Sequence, residues 1–211
     1  MEIFAAIFSI TIALAIGAMS PGPSFVMVAR TALAVSRKDG LAAAMGMGVG
    51  GVLFSAIALL GLIALLTAVP VLYIVLKVLG GVYLIYLGYK IWQGATHPIT
   101  LNPTEQQMIS TPIWRSFILG FTTQISNPKT AVVYTSVFAS LLPSEVPIFA
   151  VIALPIVVFM IEAGWYSMVA LALSATTARN RYLALKVWCD RTAGTILSLL
   201  GAKLVFEANT P

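Results

Sequence analysis

Long runs of apolar residues, separated by short polar segments, make up most of the chain. Six of these runs lie near or above the about 20 residues that a helix needs to cross a bilayer. They cover residues 3–35, 41–66, 71–88, 117–142, 148–174 and 188–206. The runs are continuous, whereas the strands of a membrane β-barrel are short and alternate apolar with polar positions. The pattern therefore predicts an all-α integral membrane protein with six transmembrane helices.

Proline interrupts two of the predicted helices near their middle. Pro21 and Pro23 break the first helix, and Pro128 breaks the fourth. Irregular backbone at this depth is tolerated only where protein or a water-filled cavity covers it. The helix start that follows such a break also offers unpaired N–H groups and a partial positive charge, which suit a carboxylate.

A polar segment at 93–114 divides the single transmembrane domain, 1–211, into two repeats of three predicted helices. The repeats cover about 1–92 and about 115–211. Because three is an odd number, the second repeat is inverted relative to the first. Broken helices in corresponding positions of inverted halves are typical of transporters with a binding site at the bilayer midplane. Two independent proline kinks are the alternative explanation of the same pattern.

Composition and charge fit this interpretation. Of the 211 residues 60% are hydrophobic and 9% are charged, against about 25% charged in an average soluble domain. Most basic residues lie in or beside the first, third and fifth loops, whereas Lys77 and Lys203 lie on the opposite side. The positive-inside rule then places the odd loops in the cytoplasm and both termini in the periplasm. The nine residues on the cytoplasmic side are Arg30, Arg37, Lys38, Lys90, Arg115, Arg179, Arg181, Lys186 and Arg191.

The net charge of +5 is therefore a signal of topology, and nucleic acid is not expected as a partner. The segment Met1-Glu2-Ile3 lacks the basic region of a signal peptide, so we expect an uncleaved first helix. The single cysteine, Cys189, cannot form an internal disulfide or a metal cluster. The single histidine, His97, argues against a His-based metal site or catalytic triad. We expect no enzyme activity, no catalytic residues, no metal and no cofactor.

Two charges lie mid-way along predicted helices, where a charge costs roughly 2.5–3.5 kcal/mol. Lys129 is in the fourth helix and Glu162 is the only charge of the fifth. Such residues are functional by default and need partners, and the simplest partner for each is the other. A permanent ion pair that only holds the two helices together is the structural alternative. We assign Glu162 to proton coupling.

We expect the carboxylate of a substrate to lie between the helix start near Ser24 and the ammonium of Lys129. Gln124 and Asn127 can supply hydrogen bonds beside Lys129. The small residues Gly46, Gly50 and others at helical spacing are interpreted as packing positions. The residues assigned to substrate binding are Pro21, Gly22, Pro23, Ser24, Gln124, Asn127, Pro128 and Lys129.

Four motifs of the sequence are familiar together. They are Ser20-Pro21-Gly22-Pro23, the stretch 40–50 after Arg37-Lys38, the stretch 80–88 and Asn127-Pro128-Lys129. In these motifs the chain resembles the LysE-type amino-acid exporters, and among them the homoserine/threonine (RhtB-like) branch. The resemblance covers essentially the whole chain, and it implies a bacterial inner-membrane exporter driven by proton antiport. The implied substrates are amino acids or close derivatives of the homoserine, threonine, homoserine lactone, leucine or lysine class.

Other functions stay open behind this one. Export of another small solute or of a cation on the same scaffold is the main alternative, although a cation exporter would want acids in both broken helices. Glu rather than Asp at position 162 and Ser24-Phe25 after Pro23 leave the substrate undetermined. The expected partners are the lipid bilayer, protons and a small-molecule substrate. The stripes of small residues are also compatible with a homo-oligomer.

Overall fold

The computed structural model describes residues 2–20, 22–68, 70–97, 112–143, 145–173 and 176–207. Eight helices, α1 to α8, account for nearly all of these residues. They run over Glu2–Met19, Pro23–Ala34, Arg37–Ala68, Pro70–Gly94, Ile113–Ile125, Pro128–Leu141, Ile148–Leu173 and Thr176–Glu207.

The two interrupted helices are present as predicted. Helices α1 and α2 share the first apolar run and meet at a bend of 58°, and α5 and α6 share the fourth run. Pro23 and Pro128 each stand in the first turn of the second half-helix. Proline suits this position because its missing N–H has no acceptor there and its φ is already helical. Gly22 and Asn127 are the corresponding N-cap residues.

Among the described residues, α3 and α7 are each long and apolar enough to cross a membrane, and the bent pair α1–α2 gives a third candidate span. Large apolar side chains such as Leu60, Leu79, Ile152 and Leu199 lie exposed on the outside of the bundle. In a soluble protein so much exposed apolar surface would be unusual. The structure is therefore that of a helical membrane protein.

The expected start of the last helix near Trp188 is wrong. Helix α8 begins at Thr176 and continues to Glu207, so the basic stretch 179–186 is helical and is not a loop. Lys186 and Asp190 explain the difference, because they lie one turn apart and form an ion pair of 2.7 Å. Such a pair at spacing i, i+4 stabilises a helix that carries charges.

Glycines allow close contact between α4 and α8, as the sequence predicts. A Cβ atom on Gly81 would lie 2.7 Å from the carbonyl oxygen of Gly201, and one on Gly194 would lie 2.6 Å from that of Gly88. Helix α3 packs in a similar way against α5 and α7. Backbones approach this closely only where small residues face each other.

Candidate functional site

The N-termini of α2 and α6 meet inside the bundle. Asn127 caps α6, since its Oδ1 accepts a hydrogen bond from the backbone N–H of Lys129 at 3.0 Å. Its Nδ2 donates to Ser24 Oγ at 3.0 Å, and Ser24 Oγ donates in turn to Gln124 Oε1 at 3.4 Å. Ser24 and Gln124 are 2% and 1% exposed. Side chains from α2, α5 and the cap of α6 thus form one buried polar chain at the two breaks.

Lys129 reaches from the first turn of α6 to the end of α1. Its Nζ donates to the carbonyl oxygens of Gly17 and Ser20, each at 3.1 Å. Carbonyls at a helix C-terminus carry a partial negative charge, which stabilises an ammonium group. Gly22 lies beside this group, since a Cβ atom on it would be in ordinary van der Waals contact with Lys129 Nζ, at 3.9 Å.

Lys129 and Glu162, which the sequence offers as the simplest partners of each other, are not in ion-pair contact in the structure. Lys186 and Asp190 do form an ion pair, of 2.7 Å. Glu162 accepts a hydrogen bond from Tyr134 Oη at 2.6 Å through its Oε1 atom. The physical reason is local, because carbonyls of α1 already bind the ammonium and a phenol of α6 already binds the carboxylate.

Glu162 on α7 is 5% exposed, and its Oε2 has no hydrogen-bond partner in the described part of the chain. Gly51 of α3 makes room for it, since a Cβ there would lie 3.2 Å from Glu162 Cγ and 3.3 Å from Tyr134 Oη. Ser20 Oγ and Gln124 Nε2 also lack partners among these residues. Buried polar atoms are almost always hydrogen-bonded, so this group of atoms suits a ligand or a water molecule.

Lys129 borders two cavities. The smaller one, of about 20 Å³, lies between Lys129 and Glu162 and is lined also by Ser20, Ser24 and Tyr134. It has room for about one water molecule. The larger one has a volume of about 540 Å³. Its lining is Gly22, Pro23, Val26, Tyr83, Leu87, Lys90, Ile91, Gly94, His97, Asn127, Pro128, Lys129, Lys186 and Asp190.

The structure brings most of the predicted site residues together. Gly22, Asn127 and Lys129 border both cavities, and Pro23 and Pro128 border the larger one. Ser24 borders the smaller cavity, and Gln124 accepts a hydrogen bond from the Ser24 hydroxyl. Pro21 lies outside the described residues, and Glu162 is separated from the larger cavity.

Four polar residues of the site escaped sequence reasoning. Tyr134 contacts Glu162 across helices, and no local signal in the sequence reveals such a contact. Lys186 and Asp190 carry a signal that was available, namely opposite charges at i, i+4. His97 lines the larger cavity, and no pattern in the sequence around it indicates this position. Among the described residues, no three His, Cys, Asp or Glu side chains come together as metal ligands would.

The chain is similar to a family of translocators and to several named efflux proteins. The pattern of the family described as LysE type translocator matches residues 15–208. The threonine efflux protein of Escherichia coli (strain K12) is 30% identical over 189 residues, which cover 90% of this chain and 92% of that protein. The threonine efflux protein of Salmonella typhi is 28% identical over 200 residues, 95% and 97% of the two chains. The leucine efflux protein of Enterobacter sp. (strain 638) is 32% identical over 119 residues, 56% and 54% of the two chains. No solved structure matches.

Proposed function

Because the chain belongs to the LysE type translocator family, we propose that it exports amino acids or close derivatives across the bacterial inner membrane by proton antiport. Relatives that match over nine-tenths of the chain are named threonine efflux proteins, so threonine and homoserine are the first substrates to test. A leucine efflux protein matches over a shorter part of the chain and makes leucine the next.

One observation carries this proposal: the ammonium of Lys129 lies at the junction of two half-helix N-termini, and no carboxylate of the described residues is in contact with it. Two helix starts and a full positive charge act on the same space, where weak screening strengthens their effect. A carboxylate that enters the 540 Å³ cavity would find Lys129 on the wall and Asn127 beside it. A cation would meet repulsion at the same place.

The larger cavity lies towards the proposed cytoplasmic side. It is lined by residues near the end of α4, including Lys90 and His97, and by Lys186 in the first half of α8. The excess of basic residues assigns these helix ends to the cytoplasm. In this arrangement the protein is open inward and ready to receive a substrate from the cell.

An inverted repeat is the architecture that would let such a protein alternate between inward and outward states. Three features support it. Helix α3 packs against its counterpart α7, α4 packs against its counterpart α8, and α2 and α6 both begin after a break with proline in the first turn. In transporters of this type, one repeat rocks against the other around a fixed site.

Glu162 is the proposed coupling residue. It shares the 20 Å³ cavity with Lys129, so the two groups sense each other's charge without contact. When a substrate carboxylate binds Lys129, it changes the charge that Glu162 faces across this cavity, so the binding of substrate and the protonation of Glu162 are coupled. Intramembrane acids of proton relays provide the general precedent.

Export by cells that overproduce the protein tests this function. The strain should resist toxic threonine and homoserine analogues and should accumulate these amino acids in the medium, relative to the empty vector. A parallel panel of divalent cations tests the alternative cargo. Resistance to cations alone, without amino-acid export, would refute the proposal. The purified protein in proteoliposomes should exchange labelled L-threonine, and an imposed pH gradient should drive net movement.

A further inference from the structure

A second charged group, Asp190 on α8, lines the same cavity as Lys129. Asp190 is 4% exposed, and its Oδ2 accepts a hydrogen bond from Lys186 Nζ at 2.7 Å. Its other oxygen, Oδ1, has no hydrogen-bond partner in the described part of the chain. An ionised carboxylate has about four acceptor positions. An unused, buried acceptor on a residue that lines a cavity therefore calls for an explanation.

Lys186 cannot satisfy this oxygen, because its own donors are already in use. Besides Asp190, its Nζ donates to the carbonyl oxygens of Ala95 at 2.9 Å and Gly94 at 3.3 Å. An ammonium group has three N–H donors, and all three have acceptors here. Lys186 is accordingly a positioning residue, which ties α8 to the end of α4 and fixes the carboxylate of Asp190 against the cavity.

The charges around the cavity favour a ligand with both signs. Among the described side chains that line it, Lys90, Lys129 and Lys186 are basic, and Asp190 is the acidic one. In the proposed function, the carboxylate of the substrate binds Lys129. The Asp190 oxygen without a hydrogen-bond partner is the acceptor best suited to a cation. An amino acid carries both groups in one small molecule.

We propose that Asp190 Oδ1 binds the ammonium group of the substrate while Lys129 binds its carboxylate. This inference rests on the proposed function and deepens it, because it assigns recognition of the amino group to a named atom. It makes the protein selective for amino acids over the corresponding hydroxy acids and N-acetylated amino acids. A site with a buried polar group rejects a ligand that leaves the group unpaired much more strongly than a purely apolar site does.

Competition in proteoliposomes tests the inference. The exchange of labelled L-threonine by the wild-type protein is measured against unlabelled L-threonine, N-acetyl-L-threonine and 2,3-dihydroxybutanoate, in which a hydroxyl replaces the amine. L-threonine alone should compete effectively. If the hydroxy acid competes as well as L-threonine, the inference is wrong, and this result needs no variant. If the wild-type protein exchanges no amino acid at all, the proposed function fails instead.

The variant Asp190→Asn should raise the apparent KM for L-threonine about 10- to 100-fold, as expected for the loss of a hydrogen bond to a charged group. Competition by 2,3-dihydroxybutanoate should change little, because this compound has no ammonium group that could bind Asp190. Asp190→Asn also leaves Lys186 buried without its counter-ion, which can unfold a protein.

The double variant Lys186→Met/Asp190→Leu removes both charges and separates a structural role from recognition. If the ion pair only holds α8 in place, two apolar side chains of similar size should replace it. The double variant would then exchange L-threonine with a KM within about twofold of wild type, which would overturn the inference. A folded double variant with a KM raised about 10-fold or more, and no preference for the amino acid, supports it.

Discussion

The side-chain amide of Asn127 donates a hydrogen bond of 3.0 Å to the hydroxyl of Ser24, and so joins the start of α6 to the start of α2. The same side chain caps α6 through its oxygen. Asn127 therefore caps the start of α6 and also joins two half-helices at the proposed binding site. The two roles use different atoms, and substitutions can separate them.

We expect Asn127→Ala to lose both roles. The lost cap should lower the free energy of unfolding by about 0.5–2 kcal/mol, and the lost bond to Ser24 should loosen the site and raise the KM for L-threonine. Asn127→Asp keeps the capping oxygen but cannot donate to Ser24, and it places a negative charge near Lys129. It should remain as stable as wild type and yet bind the substrate carboxylate poorly.

Thermal unfolding in detergent and exchange in proteoliposomes measure the two effects. Ser126→Ala is the matched control, because the neighbouring Ser126 is exposed and should tolerate the change in both assays. If Asn127→Asp transports as well as wild type, the amide of Asn127 has no role at the site.

Glu162→Gln should uncouple transport from protons. The amide retains the size of the side chain and can still accept from Tyr134, but it cannot gain or lose a proton in the physiological range. Exchange of L-threonine should persist when the pH is equal on both sides of the membrane, while an imposed pH gradient should no longer drive net transport of L-threonine. Full gradient-driven transport by Glu162→Gln would show that the acid is structural and that coupling resides elsewhere.

Tyr134→Phe tests the neighbour of the acid. It removes the 2.6 Å hydrogen bond to Glu162 but leaves the carboxyl group in place. Because Tyr134 donates the hydrogen bond that Glu162 Oε1 accepts, its loss should change the pH dependence of exchange if Glu162 takes part in coupling. A pH profile that superimposes on that of wild type would exclude Tyr134 from the coupling step.

Two glycines of α3 give a matched pair for the packing of the site. A Cβ atom on Gly50 would lie 2.8 Å from Gln124 Cβ, whereas one on Gly61 would meet nothing within 4 Å. Gly50→Ala should therefore push α5 away and destabilise the protein by about 1–3 kcal/mol. Gly61→Ala should be neutral or gain up to about 1 kcal/mol. Equal melting temperatures for the two variants would contradict the close packing of α3 on α5.

Topology provides an independent test of the inverted repeat. Reporter fusions after residues 108 and 211 should report opposite sides of the membrane, with 108 in the cytoplasm and the C-terminus in the periplasm. The physical reason is the excess of basic residues beside the odd loops. Reports from the same side would exclude six spans in two inverted halves.

Much of the site was predictable because its elements leave local traces in the sequence. Prolines at 23 and 128 mark the two helix starts, because proline suits the first turn of a helix. Lys129 and Glu162 stand out because charges are costly at mid-membrane. Each of these signals is contained within a few residues of the chain, so one sequence is enough to find it.

The unpredicted features depend on contacts between distant segments. Sequence reasoning paired Lys129 with Glu162 because neither had another visible partner. It could not place the carbonyls of Gly17 and Ser20 next to the ammonium, nor Tyr134 next to the carboxylate. The basic residues of α8 suggest a loop, although the i, i+4 spacing of Lys186 and Asp190 is a local signal of an ion pair on a helix.

The variant Lys129→Met tests the central claim most directly, namely that the ammonium at the two helix breaks binds the substrate carboxylate. Lys38→Met is the control, because Lys38 is exposed at the start of α3 and also loses one positive charge. Both proteins are purified, checked for folding by size-exclusion chromatography, and reconstituted at equal density for exchange of labelled L-threonine. We predict that Lys129→Met loses exchange about 10- to 100-fold or more while remaining folded, and that Lys38→Met matches wild type. Wild-type exchange by folded Lys129→Met would contradict the account.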